Sequence, residues 1–100
     1  MPIGSNQPSF QWTHQSILSY APTASGVYAI SNAQKWIYIG ESGDIQARLL
    51  EHLNGDNACI TRNAPTGFQF EVLSPSQRLA RQDQLIVALV PVPVCNQRFS

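Results

Sequence analysis

The sequence is short of charge. Of its 100 residues only 12% are Asp, Glu, Lys or Arg, about half the usual share. Six basic residues balance six acidic ones, so the formal net charge is zero. No block of like charge occurs, which excludes a polybasic nucleic-acid binder, a basic arm and an acidic tail. Any attraction to nucleic acid must therefore come from a few placed residues. Cysteine is scarce too: Cys59 and Cys95 form no CxxC pair, and His14 and His52 lie too far apart for zinc-ligand spacing. The N-terminus shows no basic stretch followed by an apolar run, so no signal peptide is read. The two cysteines are accordingly expected as free thiols in a cytoplasmic protein. The longest apolar stretch, residues 85–94, is broken by Pro91 and Pro93, which argues against a membrane span.

What is present is enough apolar material for one core. Hydrophobic residues make up 43% of the chain, so it should fold, and its length suits a single domain. Residues 1–24 read as a lead-in: a loose polar stretch, then a short helix over 13–20. Thr13 caps that helix, Ile17 and Leu18 face inward, and Pro22 stops it. Residues 25–100 form the main body. Two strands, 25–31 and 36–39, are joined by the polar turn Ser31-Asn32-Ala33-Gln34. In the first, Val27 and Ala29 share one face, Tyr28 and Ile30 the other. Over residues 44–53 the period changes, with Ile45, Leu49 and Leu53 four apart, so this is a helix. Ser42 or Asp44 caps it and Asn54-Gly55 closes it. Residues 56–67 read as a loop and 68–73 as a third strand. A last helix runs from Ser74 to about Leu89, and an extended tail follows over residues 92–99. The expected class is α+β, a small three-stranded antiparallel sheet flanked by helices.

Two tripeptides stand out, Gly26-Val27-Tyr28 and Tyr38-Ile39-Gly40, with nine residues between them. Arg48 follows inside the helix, and His52 comes four residues later, so both project from one helical face. Taken singly, each has an ordinary explanation as a strand aromatic, a solvated arginine or a surface histidine. Together, two phenols, a guanidinium and an imidazole at a sheet–helix junction suit hydrolysis of a phosphodiester. Tyr or His deprotonates water, and Arg stabilises charge on the phosphate oxygens.

This pattern resembles the signature of the GIY-YIG nuclease domain over roughly residues 25–96. The resemblance implies the GIY-YIG endonuclease fold. It also implies cleavage of DNA phosphodiesters dependent on Mg²⁺ or Mn²⁺, with one metal ion held mainly by a glutamate on the later helix. On it, Tyr28 and Tyr38 match the two motif tyrosines, either of which is the general base. Arg48 matches the arginine that contacts the scissile phosphate, His52 a position that assists, and Asn96 a supporting asparagine near the end of the domain.

Two departures stand out. Glu41 occupies a position where a Lys or Arg is common, and there it repels phosphate. Gln82 stands where the metal-binding glutamate belongs. Helical spacing sets Gln82 amid an apolar stripe of Leu79, Leu85, Ile86 and Leu89, with Arg78 one turn earlier and Asp83 at the edge. Gln keeps a carbonyl acceptor but loses the charge that Mg²⁺ favours. The readings are a weak natural catalyst, Asp83 as substitute ligand, or an engineered inactivating exchange. The alternative function is a nucleic-acid-binding or interaction module that keeps the fold without turnover. Local attraction to DNA would come from Arg48, Arg62, Arg78 and Lys35. Target choice would come from loops, from DNA structure, from a partner protein or from self-association.

Overall fold

β-Branched and aromatic runs pair as strands, and the four-residue period forms the longer helices. The structure, a computed structural model, describes Ile3, residues 9–89 and residues 92–96. The elements are β1 (Phe10–Gln11), α1 (His14–Tyr20), β2 (Gly26–Ser31), β3 (Trp36–Ser42), α2 (Ile45–Leu53), α3 (Ala58–Arg62), β4 (Gly67–Val72) and α4 (Arg78–Ala88). The strands make one four-stranded antiparallel sheet in the order β1-β4-β2-β3. The α+β class holds, but the sheet has four strands, not three. The additional strand, β1, lies in the stretch expected to be loose. It pairs Phe10 with Phe68, and the Phe10 ring stacks on Tyr20 at 4.8 Å. A second correction is α3, which lies inside the expected loop. Asn57 caps it, accepting from the backbone N–H groups of Cys59 and Ile60, the usual N-cap geometry.

The central strand β2 is buried on both faces. On one side Tyr28 and Ile30 pack with Ile17 of α1, Ile45 and Leu49 of α2, Ile60 of α3 and Phe68 of β4. On the other, Val27, Ala29 and Ile39 pack with Leu85 of α4. Each such aliphatic side chain taken from water contributes roughly 2 kcal/mol. A bulge in the hairpin pairs Ile30 with Tyr38 but Ser31 with Trp36, leaving Ile37 as the extra residue. This lets Ile37 join the first cluster while Ile39 joins the second. In α1 Thr13 does cap the helix and Ile17 is buried, but Leu18 is exposed. The helix is short and presents only one side to the core.

α4 starts at Arg78 rather than Ser74, because residues 75–77 form turns. The expected stripe is correspondingly narrower. Leu85 is buried and Ile86 and Leu89 pack beside it, whereas Leu79 is 57% exposed. Arg78 and Arg81 instead hold the first turn to the sheet. They donate to Glu41 of β3 at 2.6 Å and to Glu71 of β4 at 2.9 Å.

The free-thiol expectation is overturned. Cys59 of α3 and Cys95 form a disulfide, with Cα atoms 5.8 Å apart. The tail after α4 turns back along the outer edge of β3, with Val94 N–H donating to Trp36 O and Cys95 N–H to Ile37 O. That path delivers Cys95 to α3, so the cysteines no longer argue for a reducing compartment. Pro91 and the tail beyond Asn96 lie outside the described residues. No helix among the described residues is long and apolar enough to cross a membrane.

Candidate active site

Strand alternation sends the Tyr28 ring toward α2, directly opposite Gly40 of β3. A Cβ at Gly40 would overlap the Tyr28 hydroxyl and ring. The glycine of the second tripeptide is thus the seat of the tyrosine of the first. Tyr38 points to the same face, its ring centroid 6.2 Å from that of Tyr28.

α2 brings the other groups. Asp44, not Ser42, caps the helix, accepting from Ala47 N–H. Arg48 and His52 then project on one face, as their spacing predicts. His52 is fully buried: its Nε2 lies 2.8 Å from the Tyr28 hydroxyl, and its ring meets Tyr38 edge-on at 5.4 Å. At the end of α2, Gly55 takes a positive φ of 92°, a conformation suited to glycine. The chain turns back there and presents Asp56. One Asp56 oxygen lies 2.8 Å from His52 Nδ1, and the other accepts from Arg48 at 2.6 Å. Arg48 also donates to Glu51 at 2.8 Å. Sequence reading missed Asp56. The only signal for it is that Arg48, His52 and Asp56 recur every fourth residue.

Burial sets the electrostatics. It pushes the Tyr28 phenol well above its ordinary range, helped by Tyr38 and opposed by the Arg48 charge. Burial also lowers the His52 imidazole, against the pull of Asp56. Burial alone would raise Asp56, but the Arg48 hydrogen bond and His52 outweigh it and hold the carboxyl below its usual value. Arg48 is held firmly charged, first by Glu51. At neutral pH the network is a carboxylate, a neutral imidazole and a neutral phenol beside a guanidinium. Such a set can move a proton and bind an anionic oxygen.

The remaining predicted residues fall elsewhere. Asn96 does not reach this network. Its side chain accepts from Ile39 N–H at 2.6 Å and donates to Ile39 O at 2.9 Å, fastening the strand that carries Tyr38 and Gly40. Glu41 lies on the opposite face, paired with Arg78. Arg62 is exposed at the end of α3. Gln82 is half-buried on α4, its amide donating to Asp83 at 3.4 Å. This donor set does not fit a tightly held divalent cation. Gln82, which only the family resemblance sets at the ligand position, is neutral, and Glu41 and Glu71, on the sheet face that α4 covers, are committed to arginines. No group of three His, Cys, Asp or Glu among the described residues could hold a metal ion.

An antiparallel sheet thus carries a tyrosine pair beside an arginine and a histidine at the sheet–helix junction, groups able to move a proton and bind a phosphate oxygen. The GIY-YIG catalytic domain matches residues 24–85, and the chain belongs to that family. It is similar to the crystal structure of the GIY-YIG N-terminal endonuclease domain of UvrC from Thermotoga maritima bound to magnesium. The TM-score is 0.70 at 26% identity, covering 83% of this chain and 93% of that one. A Tyr-to-Phe point mutant of the same domain, bound to its catalytic divalent cation, gives TM-score 0.70 and 26% identity, covering 84% and 93%. The comparison with curated proteins gives no match.

Proposed function

We propose that this chain is a DNA endonuclease domain whose proton-handling half is complete and whose cation-holding half is weakened by Gln82. Tyr28, Tyr38, Arg48 and His52 are the residues assigned to the chemistry. The observation that carries the reading is the buried hydrogen bond between Tyr28 and His52 beside Arg48, built on the family's two tripeptides. A buried phenol–imidazole pair costs desolvation and rotamer freedom without filling the core better than apolar residues would. Proton transfer gives it a use. Arg48, at the rim, trades its carboxylate partners for a phosphate oxygen. A divalent cation, were one held there, would supply charge neutralisation at the phosphate. Glutamine at position 82 offers that cation one neutral oxygen instead of a carboxylate, so unaided turnover is weak.

A plasmid nicking assay in Mg²⁺ or Mn²⁺ tests this. Gln82→Glu should raise nicking at least tenfold, and adding Arg48→Ala should abolish it. A second reading, a DNA-binding module without turnover, is favoured by Gln82, by the Glu41–Arg78 pair and by the zero net charge. Salt-sensitive DNA binding with an inert Gln82→Glu chain would establish it over the first.

A further inference from the structure

We propose that Asp56 is a positioning residue that fixes His52 as the tautomer protonated at Nδ1, so that Nε2 accepts the Tyr28 proton and Tyr28, not Tyr38, deprotonates water. The inference rests on the phosphodiester-hydrolysis reading and adds to it a residue and a proton path. Asp56 is an acceptor only, because Arg48 and His52 keep its carboxyl ionised. Its oxygen lies 2.8 Å from His52 Nδ1, so the hydrogen between them belongs to Nδ1. Burial keeps His52 neutral, which leaves Nε2 as a lone pair facing the Tyr28 hydroxyl at 2.8 Å. Tyr28 is thereby the donor in that bond. The Tyr38 hydroxyl has no comparable acceptor: it makes no hydrogen bond among the described residues, and only its ring meets His52.

This order resolves a difficulty. Burial holds the Tyr28 phenol so high that a preformed tyrosinate is not populated at neutral pH. A relay needs none. As the water oxygen bonds to phosphorus, Tyr28 Oη takes one water proton and passes its own to His52 Nε2. The resulting imidazolium is stabilised by Asp56 and Glu51 and opposed by Arg48, while Tyr28 and Tyr38 face it from β2 and β3. The bond from phosphorus to the leaving oxygen breaks, and that oxygen takes a proton from solvent. His52 then returns its extra proton to solvent. The net change is diester plus water to monoester plus alcohol.

The test begins with ring-¹⁵N-labelled histidine in the whole chain. His14 and His52 are the two histidines, so His14→Gln leaves one set of signals. His52 should show a protonated Nδ1 and an unprotonated Nε2. Asp56→Asn should mix the tautomers and move the His52 titration midpoint to lower pH, since a charge favouring imidazolium is lost. Asp56→Glu should restore the tautomer in part. Tyr28→Phe should shift the Nε2 resonance, and Tyr38→Phe should leave it in place. An Nε2-protonated ring, an unmoved midpoint or equal responses to the two Phe variants would overturn the assignment. In a Gln82→Glu chain that nicks DNA, Asp56→Asn should lower kcat about tenfold to a hundredfold, and an unchanged kcat would overturn the positioning role. A Gln82→Glu chain that never nicks overturns the proposed function and the catalytic part of this assignment. The ring signals then decide the hydrogen-bond part on their own.

Discussion

Tyr28 and His52, on the α2 side of the sheet, are wholly covered, whereas the charged groups on the α4 side stay at the rim. There the Arg78 and Glu41 side chains keep 26% and 30% exposure, and Arg81 and Glu71 keep 25% and 11%. A covered hydrogen bond has one geometry and a high cost of loss. Partly exposed ion pairs contribute less each and are weakened by salt. The difference teaches where the molecule tolerates change. Gln82 is only half-buried and bonds to its neighbour Asp83 alone, so its side chain can vary at little cost to the fold. The tyrosine–histidine pair cannot.

The largest break in that contrast should be Gly40→Ala. Its Cβ drives the Tyr28 ring off its seat and away from His52, so urea unfolding should show a loss of about 3 kcal/mol, at the upper end for overpacking. Next comes Tyr28→Phe, which strands the buried His52 Nε2 and should cost about 1–3 kcal/mol. Tyr38→Phe, on the same face, should stay within about 0.5 kcal/mol, because its hydroxyl makes no hydrogen bond among the described residues.

Acid should separate the two faces further. His52 has a lowered folded pKa, so below its ordinary value of 6.5 the unfolded chain takes up the proton first. Its stabilisation is complete above that pH and is lost as pH falls below it. Glu71 is also depressed: burial opposes ionisation, but Arg81 outweighs it. Its contribution is therefore present above the ordinary value of 4.5 and lost only as pH falls below that. Thermal midpoints measured against pH should fall in two stages, and Glu71→Gln should remove part of the second only. The smallest effect should be that of Gln82→Glu on stability, within about 0.5 kcal/mol in the same urea assay.

Much of this contrast was legible in the sequence. Alternation in β2 and β4 and the four-residue period of α2 each reflect one buried face, so the strands, the helix and the pairing of Arg48 with His52 could be read directly. β1 and α3 were not legible, because two and five residues are too short to show a period. Asp56 reaches His52 only through the turn at Gly55, and Cys95 meets Cys59 only because the tail folds back along β3. Such contacts depend on where the chain goes after an element ends. Leu79 looked buried because helical spacing carries no information on where α4 leaves the sheet.

The returning tail also decides how copies of this chain can meet. Its backbone and the Asn96 amide occupy groups of Trp36, Ile37 and Ile39 along the open side of β3. A foreign strand finds those hydrogen-bonding positions taken. At the other side of the sheet, β1 offers only two residues as a template. Continuation of the sheet from one molecule into the next is thereby discouraged on the β3 side, which guards against fibrous aggregation there.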